Sequence, residues 1–233
     1  MEWAIIVATY LAIAALYLRL GVHALRWTEA ALRAAPHPGR RAHSTLQALA
    51  GAALDVLLLR RLFAMNPLLW LGEWLFHVSL LLVLVRHLRY FTEPVPPWIV
   101  QAQLPGWIAG FLLPIALLYV LAVRLLSRRE PFSSRANLLV LLDLLGLAGT
   151  GLLLATRHRV DLVQVKAYAL GTVTLRPTPP PADPLLIAHL GLALALALYV
   201  PSHVFTAPLT LLEARRRDRD LQAMLHDASA PVW

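Results

Sequence analysis

Apolar residues in this chain come in blocks long enough to cross a bilayer, and no other sequence feature limits its folds as much. A hydrocarbon core of about 30 Å takes roughly twenty helical residues. Five segments approach or exceed that length: 3–25, 67–87, 107–124, 137–155 and 185–205. Backbone groups in lipid must bond among themselves, so each block reads as a helix. The expected fold is an all-α membrane protein, a bundle of five transmembrane helices in one domain over 1–233. With 59% hydrophobic and only 15% charged residues, the chain is too apolar for a soluble domain of its length.

Two of the blocks carry histidines in pairs: His77 and His87 on one, His189 and His203 on the other. Ionisable side chains within a span are costly, and they usually face a bundle interior, a cavity or a cofactor. Ten helical residues separate the first pair by about 15 Å along the axis and about 80° around it. Fourteen residues bring the second pair within roughly 40° of each other, about 21 Å apart. Four imidazoles on two helices suit two stacked bis-histidine b-type haems, an outer iron held by His87 and His189 and an inner one by His77 and His203. The competing reading makes the same residues hydrogen-bonded packing groups. Absence of cysteine excludes thiolate-ligated iron–sulfur clusters, disulfides and thioether-attached haem in this chain, so any such centre belongs to a partner.

Charge sets the expected topology. Of the Arg and Lys residues outside the spans or at their ends (Arg86 and Arg124), 14 fall on the side of the 26–61 segment and 6 on the other. The positive-inside rule then places the N-terminus outside and the C-terminus in the cytoplasm. The net charge of +8 is thereby read as topology and lipid contact, with no nucleic-acid partner. Residues 44–64, interrupted by Asp55, Arg60 and Arg61, suit a helix lying at the cytoplasmic interface. Arg86 and Arg89 flank His87, where haem propionates would emerge and a bidentate grip on carboxylate is available. Glu73 lies one turn from His77. Asp143 reads first as an interhelical hydrogen-bonding group and second as part of a proton path. Gly146, Gly149 and Gly151 permit close helix packing. The amphipathic middle of the loop 156–184 suits a lid over the outer haem, with His158 in solvent. No nucleotide loop or catalytic triad is present.

The segments GEWLFHVSLLLVLVRHLRYFTEPVP, RVDLVQVKAYALGTVTLRP and HLGLALALALYVPSH, with LLLRRLFAMN before them, give the chain a family likeness over about residues 55–210. It resembles nitrate reductase gamma subunits and, more closely, the DsrM-type membrane cytochrome b of sulfur-metabolism complexes. The resemblance implies five spans and two haems b in the cytoplasmic membrane of a prokaryote. It also implies menaquinol or menaquinone chemistry near the outer haem and a cytoplasmic iron–sulfur partner subunit. Lys166, Arg86 and His158 are then candidate contacts to quinone oxygen or propionate. One departure concerns the last ligand: the family position, eighteen residues after His189, is Ala207 here, and His203 takes its place as the candidate. A respiratory nitrate reductase gamma subunit is the alternative within redox chemistry. A haem-free membrane anchor or transporter component is the alternative outside it.

Overall fold

The structure is a computed structural model that describes residues 2–33, 54–55, 57–126 and 135–201. Five of its helices are long and apolar enough to cross a membrane: α1 (Glu2–Arg33), α3 (Pro67–His87), α5 (Gln103–Leu126), α6 (Arg135–Thr156) and α8 (Pro184–Pro201). Shorter helices join them: α2 (Arg60–Met65), α4 (Pro97–Gln101) and α7 (Leu162–Val173). A 3₁₀ turn, Leu88–Tyr90, continues α3. No strand occurs among the described residues. The interfacial helix expected over 44–64 falls largely outside the described residues, which retain only its C-terminal part, ending in α2. His203 and the last turn expected of the fifth span also lie outside them.

Local chemistry fixes where these helices begin. Asn66 caps α3: its side-chain oxygen accepts from Leu69 N–H at 3.0 Å, and Pro67 occupies the first turn, where a missing N–H costs nothing. Asp161 caps α7 through Val163 and Gln164 N–H at 2.9 and 3.2 Å. Asp183 caps α8 in the same way, accepting from Leu186 N–H at 2.9 Å with Pro184 next in sequence. Pro114 lies inside α5, which continues past it.

The core sits between α3, α5 and α6. Leu69 and Phe76 of α3 meet Leu113, Ala116, Leu117 and Val120 of α5 and Leu141, Leu144 and Ala148 of α6. Large residues such as Leu71, Leu81, Ile115, Leu118, Leu139 and Leu142 stay exposed, as lipid-facing side chains would. The antiparallel pair α3/α5 approaches closely because Gly72 and Gly106 have no side chain. A Cβ on Gly72 would stand 2.5 Å from the Tyr119 ring, and one on Gly106 would stand 2.7 Å from Arg86 Cβ. At one end of that interface the Arg124 guanidinium donates to Glu73 at 2.6 Å, a part-buried ion pair between the two helices.

Polar contacts fasten the remaining helices. Arg19 of α1 donates to the Leu198 carbonyl of α8. At the His87 end of the bundle, α7 packs on the Leu88–Tyr90 turn. The Tyr168 hydroxyl of α7 lies 2.6 Å from Thr9 Oγ1 of α1, and Tyr10 donates to the Thr172 carbonyl at 3.3 Å. Thr9 directs its own proton to the Ile5 carbonyl at 2.8 Å, so Tyr168 is the donor of that pair. Burial raises the Tyr168 phenol pKa above its ordinary value.

Candidate haem site

His87 ends α3, and His189 lies five residues past the start of α8. The fold brings their rings together: the centroids are 6.4 Å apart and the planes 19° from parallel. Each Nδ1 is engaged by a neighbour. His87 Nδ1–H donates to the Val83 carbonyl at 2.7 Å, one turn back on its own helix. His189 Nδ1 lies 2.9 Å from Thr150 Oγ1 of α6. Thr150 uses its proton on the Gly146 carbonyl at 2.8 Å, so its oxygen accepts from the imidazole. Both rings are thereby held as the Nδ1–H tautomer, which leaves Nε2 as the basic nitrogen available to a metal.

Gly151 completes the seat. A Cβ there would come within 3.0 Å of His189 Cε1, so the imidazole occupies space that any larger residue would take. The ring separation is of the size a shared metal would set. Two metal–imidazole bonds of about 2 Å each, plus about 1.1 Å from each Nε2 to its ring centre, put end-to-end rings roughly 6.2 Å apart. Among the described residues no group of three or more His, Cys, Asp and Glu side chains converges on one point. Two imidazoles alone suit an ion whose other four positions are filled by a porphyrin.

His77 stands ten residues back on α3, about 15 Å along the axis. Its Nδ1 donates to the Glu73 carbonyl at 2.6 Å, and the ring meets Phe76 edge-on at 4.5 Å. Its expected counterpart, His203, lies outside the described residues. Glu73, read from the sequence beside His77, gives its carboxylate to Arg124, with one oxygen 3.9 Å from His77 Nδ1.

This chain is similar to two cytochrome b-like subunits. Both relatives bear the name Hdr-like menaquinol oxidoreductase cytochrome b-like subunit. The one from Archaeoglobus profundus is 33% identical over 124 residues, covering 48% of this chain and 37% of the relative. The one from Archaeoglobus fulgidus is 30% identical over 149 residues, covering 57% and 45%. The chain thus spans less than half the length of the curated relatives it matches. No family model and no solved structure matches it.

The basic side chains expected around the site divide into distinct states. Arg89 donates to Gln103 at 3.0 Å and lies over the Tyr90 ring at 4.7 Å. Arg86 makes no hydrogen bond or ion pair among the described residues, and its stem rests on Gly106. Lys166 of α7 pairs with Glu93 of the loop after α3. His158 pairs with Asp183, and the Leu186 N–H, with this bond second, holds the Asp183 carboxyl below the ordinary carboxylate range. None of the described histidines lines the open apolar groove of about 330 Å³ between α3 and α5. Thr150 escapes sequence reading because a threonine in an apolar helix ordinarily bonds only its own backbone. The glycines around it were the available sign that a helix with a bulky group approaches there.

Proposed function

We propose that this chain is a dihaem cytochrome b subunit that passes electrons between menaquinol or menaquinone and a cytoplasmic iron–sulfur partner subunit. It works in the cytoplasmic membrane of a prokaryote, with its N-terminus outside. The observation that carries the reading is the paired His87 and His189, with both tautomers fixed from Nδ1. The similarity to menaquinol oxidoreductase cytochrome b-like subunits supports it. Haem iron, when bound, would supply the one-electron chemistry.

The residues then take defined tasks. His87 and His189 hold the outer haem, and His77 and His203 the inner one. Val83 and Thr150 keep the outer imidazoles in orientation. Arg86, with its guanidinium uncommitted, is the propionate contact. Arg89 is already spent on Gln103 and Tyr90 and supports the 3₁₀ turn instead. Helix α7 covers the His87 end and excludes water from it, so the quinone site lies under its rim near Lys166 and His158. A quinol oxidised there would release its protons outside.

Haem quantification and reduced-minus-oxidised spectra of the purified protein test this directly. Two haems per chain are expected, with one lost in His87→Ala and in His189→Ala. Unchanged haem content in both variants would defeat the assignment. Shortening 156–184 should leave the spectrum intact and abolish reduction by a menaquinol analogue.

A further inference from the structure

Asp143 is a carboxyl group inside a membrane-length helix, six residues into the apolar span Asn137–Thr156. Its position on α6 is set by the neighbours that share its face. Gly146 and Thr150, three and four residues apart in turn, meet Leu192 and His189 of α8, so Asp143 lies on the seam between α6 and α8. It stands seven residues below Thr150, about 10.5 Å along the axis. Further along the seam Tyr199 donates to Asn137 Oδ1 at 3.3 Å. Asp143 itself makes no hydrogen bond or ion pair among the described residues. The interhelical bond expected of it from the sequence is not formed among the described residues.

An unpaired carboxylate is costly in such surroundings, and its ionisation is sensitive to any charge nearby. We propose that Asp143, whose depth lies between those of the two histidine pairs, is the group that takes up a proton when haem in this chain is reduced. The inference rests on the haem reading above. A ferric bis-imidazole porphyrin carries a net positive charge that the ferrous form lacks. In a low-dielectric seam that charge favours the carboxylate, and its loss favours the acid. The step balances: one electron from a quinol and one proton from solvent are taken up together. The iron goes from ferric to ferrous as the carboxylate becomes carboxylic acid.

Other titratable or charged groups on the packed elements are His189 and Tyr199 on α8, Tyr119 and Arg124 on α5, and Glu73, His77 and Arg86 on α3. Glu73 and Arg124 are committed to each other, and His189 to Thr150. Asp143 is the carboxyl left to respond.

Optical redox titration of the purified haem-loaded protein across pH 6–9 decides the matter. In the wild type the haem potential should fall as pH rises, because reduction becomes harder when the proton is scarce. In Asp143→Asn it should be flat and sit at the wild-type low-pH value, since Asn mimics the neutral acid; Asp143→Glu should restore the slope. A wild-type slope that survives in Asp143→Asn overturns the proposal. Should that variant fail to load haem, redox-difference infrared spectra of the wild type decide instead. A protonated-carboxyl band gained on reduction supports the assignment, and its absence refutes it. A wild-type protein without haem would refute the reading beneath the proposal, a result distinct from either outcome.

Discussion

Thr150 shows how much of the site depends on a single hydroxyl. With Thr150→Val the ring of His189 loses its Nδ1 acceptor while the shape of the seam is nearly preserved. Loss of such an orienting partner typically costs 10–100-fold in metal affinity. The expected outcome is weaker haem retention at the His87/His189 pair with normal membrane insertion, read as haem per protein after detergent washing. Gly151→Leu is the steric counterpart. A side chain built from a Cβ 3.0 Å from His189 Cε1 must push the imidazole aside, so this variant should lose the same haem with all its ligands still encoded. The juxtaposition of His87 and His189 could be read from the sequence because ionisable groups in apolar blocks are rare. Thr150 and Gly151 could not, because threonine and glycine are ordinary in membrane helices, and only the register of α6 against α8 singles them out.

Helices were the most legible level. Their length and apolarity follow from the bilayer alone, and five such helices are present among the described residues. Their ends were less legible: α1 runs to Arg33, well past the apolar span 3–25, because helix propensity continues where hydropathy stops. Caps decide the other ends, and they carry a pH dependence. Asp183, held below the ordinary carboxylate range by Leu186 N–H and His158, stabilises the start of α8 in its ionised form. Its contribution is fully present above the ordinary aspartate pKa and is lost as pH falls through the lowered folded value. Thermal unfolding followed by circular dichroism should therefore show a midpoint that drops below about pH 4, with a smaller drop in Asp183→Asn, which cannot change its charge. Between α3 and α5, Gly72→Leu forces a side chain onto Tyr119 and Val120 and should destabilise the pair by about 1–3 kcal/mol or more. Denaturant unfolding in detergent measures this.

At the scale of the whole molecule, polar ties join the outer helices to the bundle alongside buried apolar residues such as Ile6, Ala12 and Leu186. The core joins α3, α5 and α6, whereas α1 is attached to α7 and α8 through Thr9, Tyr10 and Arg19. None of these attachments can be read from the sequence, since each pairs a commonplace residue with one more than 150 positions away. Tyr168→Phe should loosen α7 without disturbing the spans, seen as faster amide exchange over 162–173. The tie from Thr9 to Tyr168 spans 159 residues and bears on how the protein is made. At about 5–20 residues per second, the ribosome reaches Tyr168 roughly 8–30 s after Thr9. For that interval α1 is a newborn helix in lipid without its partners, holding Arg19 and two hydroxyl-bearing side chains ready for a segment not yet translated.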